Sequence, residues 1–362
     1  MRLVVTGGTG NVGTALLQRL RDAPEVTEVR AIAASRAPEP IPPYDVASWS
    51  VYDLGAPASR QPLAELLRGA TAVVHLAWDI LGSGGRPAQR RSNVAATRQL
   101  LAATVEAGVP HLVHLSSVAA YAPEPTRQLQ VSEDWPCTGV PGSAYSADKV
   151  AVEKLLDHAV AAYLGLRVSR LRPPTILQPA AATELTHYLL GRLAPLVRNR
   201  WLRPRLVPLP PGLRMQAVHS ADVAELLWLV LASGSPGAYN VAAEPVLDAA
   251  QVAAILHVLR LPVPSPLLRT ALDVTGRLGV HSLDGSWLDL LTRAPLVDTD
   301  RARRELGWRP AYRADQTLAA VRDAAIAGAG TGSPRLAPPA ATPTTPPPAA
   351  ATSWKLRLPA RF

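Results

Sequence analysis

The sequence predicts an α/β fold: a doubly wound parallel sheet, then a smaller and more irregular C-terminal lobe, then a disordered Pro-rich tail. Three observations carry this. Short β-branched runs alternate with helix-length segments over the first 172 residues, and strict alternation places helices on both faces of a parallel sheet. A glycine-rich turn joins the first run to the first helix. Beyond it the pattern loosens, with prolines at Pro173, Pro174, Pro195, Pro204, Pro208, Pro210 and Pro211. The division expected is therefore 1–172, 173–328 and 329–362.

Taken in order, Leu3-Val4-Val5 reads as a buried strand and Asn11 to Arg21 as a helix. Val29 to Ala33 is a second strand, and Ser50-Val51 ends a short third. Pro62 to Leu67 is helical, and Ala72 to Ala77 is a fourth strand. A long helix from Ala88 to Glu106 stops at the breakers Gly108 and Pro110. His111 to Leu115 is a fifth strand, Ala144 to Leu164 a helix and Leu166 to Leu171 a sixth strand. A segment around Ala238 to Ala242 rejoins the sheet.

With 48% hydrophobic and 18% charged residues among 362, the chain can bury a core, which excludes wholesale disorder. The exception is 329–362, where Pro334, Pro338, Pro339, Pro343 and Pro346 to Pro348 stand among Ala and Thr. The single Cys137 excludes an internal disulfide and a cysteine-based zinc cluster, and the dispersed histidines give no metal site. No apolar run approaches the roughly 20 residues of a spanning helix, so the expectation is a cytoplasmic protein without a membrane partner. Net charge is +9, but only three of the 37 cationic residues are Lys, and the Arg are scattered. No nucleic-acid-binding motif accompanies them, so small acidic ligands are the expected partners rather than nucleic acid.

Thr6-Gly7-Gly8-Thr9-Gly10-Asn11-Val12-Gly13 connects the first strand to the first helix. Glycine permits the tight turn and close backbone approach to a pyrophosphate, and the helix N-terminus supplies N–H groups at Asn11 and Val12. In this strand–turn–helix context the motif points to a Rossmann-type dinucleotide site. The second strand ends in Ala34-Ser35-Arg36 without the acid that would hold the adenine ribose of NAD. Ser35 and Arg36 instead suit a 2′-phosphate, so the cofactor expected is NAD(P), with NADP favoured. Asp53, beside Leu54, is placed to meet the adenine.

Tyr145 and Lys149 stand at i and i+4 and share a helix face. A phenol exchanges protons near neutrality only where a cation stabilises its anion. The fifth strand ends in Ser116-Ser117, on the sheet edge that faces the cofactor, where a hydroxyl can bond the substrate oxygen.

Together these segments resemble the extended short-chain dehydrogenase/reductases of the NAD-dependent epimerase/dehydratase group. The matching pieces also include Val74 to Ala77, Asn93-Val94, Leu115 to Tyr121, Arg172-Pro173, Val218 to Val223, Tyr239 to Ala242 and Leu306 to Pro310. The resemblance implies Tyr145 as acid/base, Lys149 as its activator and ribose ligand, and Ser117 as the catalytic hydroxyl, with Ser116 structural. It adds Leu76, Ala77, Asn93 and Pro173 to the cofactor site, and it implies a homodimer. Val118 and Ala119 stand where dehydratases of the group carry an acidic pair, which disfavours water elimination. Trp78 borders the substrate pocket, with the loop Gly82 to Gly85 beside it. Arg214 is one residue off the group's phosphate-binding arginine, which aligns with Met215. Arg198 to Arg205, with Trp201 as a stacking surface, offers another diphosphate site. The activity expected is hydride transfer at a carbinol or carbonyl carbon of a sugar nucleotide or small carbonyl compound. The alternative is a non-catalytic NAD(P)-binding regulator or scaffold.

Overall fold

The computed structural model describes residues 1–56, 60–81, 84–126, 128–199 and 204–338. The first half runs β1 (Arg2–Thr6), α1 (Asn11–Arg21), β2 (Glu28–Ala33), β3 (Ser48–Val51), α2 (Arg60–Leu67), β4 (Ala72–His75), α3 (Gly85–Arg90), α4 (Ala96–Glu106), β5 (His111–Leu115), β6 (Gln130–Val131), α5 (Ala144–Ala162) and β7 (Arg167–Arg172). Then follow β8 (Thr175–Leu177), α6 (Ala182–Leu190), β9 (Leu206–Leu209), β10 (Arg214–His219), α7 (Ser220–Ser233), β11 (Gly237–Asn240), β12 (Ala243–Asp248), α8 (Ala249–Leu256), β13 (Leu259–Pro262), α9 (Ser265–Arg277), α10 (Gly285–Arg293), β14 (Leu296–Val297), α11 (Asp300–Leu306) and α12 (Ala314–Ala327).

Seven strands form one parallel sheet in the order β11-β7-β5-β4-β1-β2-β3. Each central strand is a near-continuous apolar run, as burial on both faces demands. On one face Leu16 and Leu17 of α1 pack with Val223 and Leu227 of α7. On the other, Leu63 and Leu67 of α2 meet Leu100 of α4 and Leu156 of α5. The chain leaves β1 in one direction for β2 and β3 and returns on its other side as β4. That reversal is the switch point at which such sheets open a crevice at their carboxyl ends. β11 extends the sheet beside β7, with Tyr239 in register with Leu171. A second sheet, β12-β10-β8, has its own core around Leu177, Leu213, Ala217, Leu247 and Val252.

Two expectations need correction. The helix read as continuous from Ala88 is α3 and α4 joined by a π-helical stretch, Arg91–Ala95. Five residues in π-helical bonding span little more than one turn, too short a stretch for the apolar spacing of a long helix to reveal. The tail also begins later than residue 329. Residues 329–338 fold back onto the glycine turn: Ser333 Oγ donates to Thr9 O at 2.5 Å, and Leu336 is fully buried. Thr331 Oγ1 lies 2.7 Å from Tyr44 OH, which lies 3.0 Å from Thr14 Oγ1 of α1. Thr183 of α6 donates to Ala329 O at 2.7 Å. These contacts offset the ordering cost that the composition suggested could not be met. The rest of the expected tail, 339–362, lies outside the described residues.

Candidate active site

The glycine turn has the geometry its sequence demands. Gly7 has a φ of +74°, and a Cβ there would sit 2.6 Å from Ala77 N. A Cβ on Gly13 would sit 2.3 Å from Gly7 O. Gly10 is the N-cap of α1 and provides no side-chain oxygen, so no side chain covers the first-turn N–H groups. This cradle fits a pyrophosphate. Asn11 does not turn its side chain to that task. Its amide donates to Ile176 O at 3.1 Å and accepts from Ser220 Oγ at 2.5 Å, which ties the turn to the second lobe. Val12 is core.

The other expected cofactor residues divide into surface and scaffold. Ser35 and Arg36 are exposed past the end of β2. Asp53 is exposed and accepts from Gly55 N at 2.8 Å, while Leu54 is buried. Leu76 N donates to Thr6 O at 3.1 Å, which continues the β1–β4 pairing to the half-buried Leu76 and Ala77. Asn93, fully buried in the π-helical stretch, clamps the chain after β4: it accepts from Asp79 N at 2.8 Å and donates to Asp79 O at 3.0 Å. It is a positioning residue for Trp78. Pro173 O accepts from Val118 N at 3.0 Å and holds the turn after Ser117.

The three catalytic candidates converge. Ser117 caps a 3-10 turn, Val118–Ala120, by accepting from Ala119 N at 3.1 Å. Ser143 caps α5 and starts it two residues before Tyr145. Ser146 locks the two turns together: its Oγ donates to Ala119 O at 2.6 Å and accepts from Val140 N at 2.7 Å. The result sets the Tyr145 phenol beside the Ser117 hydroxyl. Lys149 is buried, donates to Leu115 O at 2.9 Å, and lies 3.4 Å from the Trp78 ring centroid and 5.7 Å from that of Tyr145. Burial pushes the phenol up to about 12, with Ser117 pulling the other way. Burial also lowers Lys149 to about 7, against the upward pull of Glu153 and Asp148.

Beneath the site lies a buried ionic layer. Ser116 Oγ donates to Glu153 at 2.6 Å, and Arg172 holds both Glu153 oxygens at 2.9 Å. Arg172 Nη1 also donates to Tyr121 OH at 2.9 Å, and that hydroxyl donates to Asn240 Oδ1 at 2.8 Å. Both Ser116 and Tyr121 therefore serve the scaffold. Asp148, fully buried, receives two 2.6 Å hydrogen bonds from Arg86 and one of 3.2 Å from Arg90. Ion pairs of this kind fix α5 relative to β5 and to the segment after β4.

Sequence reasoning missed Trp287. On α10 of the second lobe, its ring lies 5.2 Å from that of Tyr145, which also has Trp78 at 6.1 Å. An aromatic on an amphipathic helix carries no local signal that it will meet a residue so distant in sequence. Arg214 is half-buried on β10, in register with Asp248. Arg200, Trp201 and Arg203 of the expected arginine cluster, and Gly82 and Ser83 of the expected loop, lie outside the described residues. Among the described residues, no helix is long and apolar enough to cross a membrane.

Known proteins resemble this chain along most of its length. A ketoreductase of Stigmatella aurantiaca, acting on a 4-hydroxy-2-methyl-3-oxo-4-farnesyl-3,4-dihydroquinoline-1-oxide, is 27% identical over 357 residues, 91% of this chain and 98% of its own. The uncharacterized protein Rv0501 of Mycobacterium tuberculosis is 27% identical over 86% of this chain and 80% of its own. Among solved structures, DesIV, a dTDP-glucose 4,6-dehydratase of Streptomyces venezuelae with NAD bound, superposes with a TM-score of 0.65 at 22% identity, covering 90% of this chain and 96% of that one. Its likeness establishes the Rossmann fold. The sequence profile of the NAD dependent epimerase/dehydratase family matches residues 3–242. The turn, the phenol–ammonium pair and that match agree: the chain belongs to the NAD-dependent epimerase/dehydratase family and is an NAD(P)-linked enzyme of the oxidoreductase type.

Proposed function

We propose that the protein is an NAD(P)-dependent reductase acting on a ketone, with no dehydration step. The observation that carries this is the convergence of Ser117, Tyr145 and Lys149 beside the apolar pair Val118-Ala119. Gly7, Gly10, Gly13 and the first-turn N–H groups of Asn11 and Val12 would hold the pyrophosphate, and Lys149 the nicotinamide ribose. When bound, the reduced dinucleotide supplies hydride to the carbonyl carbon. The Tyr145 phenol donates its proton to the carbonyl oxygen, which Ser117 orients by hydrogen bonding. Lys149 stabilises the phenolate left behind, in a site where burial strengthens that attraction. The raised phenol keeps its proton until the oxyanion develops, which suits reduction. Val118 and Ala119 offer no acid to expel water, so elimination lacks its proton donor.

The likeness to the Stigmatella ketoreductase, spanning both chains, supports ketone reduction over epimerisation. Ser35 and Arg36 support a preference for NADPH, and the family likeness a homodimer through α4 and α5. The test is turnover of a ketone panel with NADPH and NADH by wild type and Tyr145→Phe. Loss of turnover by about a hundredfold or more in the variant, with dinucleotide binding retained, is expected. Equal turnover by the variant, or dinucleotide binding with no ketone reduced, refutes the reading.

A further inference from the structure

We propose that Trp78 and Trp287 form a two-sided aromatic clamp that selects a flat, aryl-conjugated ketone. This rests on the ketone-reductase reading and adds the substrate class. The two indoles reach the phenol from different lobes: Trp78 from the segment after β4, edge-on at 74°, and Trp287 from α10, tilted at 44°. The acid that must touch the carbonyl oxygen thus has an indole from each lobe within about ring-contact distance, Trp287 tilted against it and Trp78 edge-on with Lys149 over its ring.

Apart from Lys149, the adjoining wall is apolar. Val118, next to Ser117, is buried in one cluster with Ala294 and Leu290, and Leu290 lies one turn along α10 from Trp287. Cys137 packs there as a neutral thiol, which burial pushes up to about 11. The carboxylates nearest in sequence to the catalytic pair are already committed: Asp148 to Arg86 and Arg90, Glu153 to Arg172 and Arg170. A sugar brought here would bury hydroxyl groups without partners, which is costly. A planar ring system buries only surface that the indoles match in shape and polarity.

One group does call for an acceptor. Trp78 Nε1 is sealed from solvent and has no hydrogen-bond partner among the described residues. A native fold leaves such a donor unpaired at a cost unless a ligand satisfies it. A ketone with a lone pair exposed beside its ring supplies the acceptor while keeping its face on the indoles.

Acetophenone and cyclohexyl methyl ketone make a matched pair that differs in the flatness of the ring. In wild type loaded with NADPH, kcat/KM should favour acetophenone by about fivefold to tenfold, the size of one ring–ring contact. Trp287→Leu should bring that ratio close to one, while Trp287→Phe keeps most of it. A binding arm does not depend on turnover. In protein loaded with NADP+, which cannot reduce a ketone, quenching of tryptophan fluorescence should give the same ordering of Kd values. A ratio near one in wild type, an unchanged ratio in Trp287→Leu, or tighter binding of UDP-glucose than of acetophenone overturns the clamp. Should no ketone be reduced at all, the reductase reading fails, and the binding arm still decides the clamp.

Discussion

Replacing Lys149 by Met should stabilise the folded protein near neutrality while destroying its chemistry. The ammonium is buried, with one backbone acceptor at 2.9 Å and the Trp78 ring 3.4 Å away. Its fall from 10.5 to about 7 corresponds to about 5 kcal/mol of penalty on the charged form. Met fills the same volume but leaves Leu115 O without its donor, at about 1 kcal/mol. The variant should therefore gain about 4 kcal/mol at pH 6.5. The gain shrinks with alkalinity. Between pH 7 and 10.5 the unfolded chain holds a proton that the folded one releases, so wild-type stability rises with pH across that window. By about pH 10 nearly all of the advantage of Met should be gone. Urea unfolding of both proteins at the two pH values measures this. A stability difference that is the same at pH 6.5 and pH 10 would refute the account of a charge held against burial.

Two further outcomes follow from buried groups. Burial holds His75 at about 3 and His111 at about 4, and pushes His114 well below its ordinary value. The unfolded imidazoles protonate near 6.5, so the histidines' contribution to stability should be flat above that and fall as pH drops below it, by about 2 kcal/mol per histidine between pH 7 and pH 5. Urea midpoints across that range check it, and a curve of unchanged slope in His114→Phe would count against the assignment. Leu336→Ala should cost about 2–3 kcal/mol because its side chain is fully buried; a loss below about 0.5 kcal/mol, typical of a solvated position, would show that the contact with the glycine turn is not made in solution.

The parts of this protein that the sequence made legible are those written locally. The sheet strands carry their own β-branched runs, and the turn from Thr6 to Gly13 carries both its glycines and its strand–helix context. Tyr145 and Lys149 share one helix face because of a spacing four residues long, and Ser117 stands at a recognisable strand end. What escaped depends on contacts between distant segments. Trp287 gains its role only when α10 folds over α5. The π-helical register that aims Asn93 at Asp79 is hidden within a run that periodicity treats as ordinary helix. Leu336 sits in Pro- and Ala-rich surroundings whose average composition masks one well-placed apolar side chain.

Ser333 and Thr9 are 324 residues apart in sequence and 2.5 Å apart in space. During synthesis the first strand and helix leave the ribosome long before their latch exists, so the outer rim of the nucleotide cradle must wait for nearly the whole polypeptide. The loop-closure entropy of such a contact is met only after the domains between are already folded. The latch is thus a late contact in assembly, and a chain cut short of Ser333 would carry an unfinished rim beside the glycine turn.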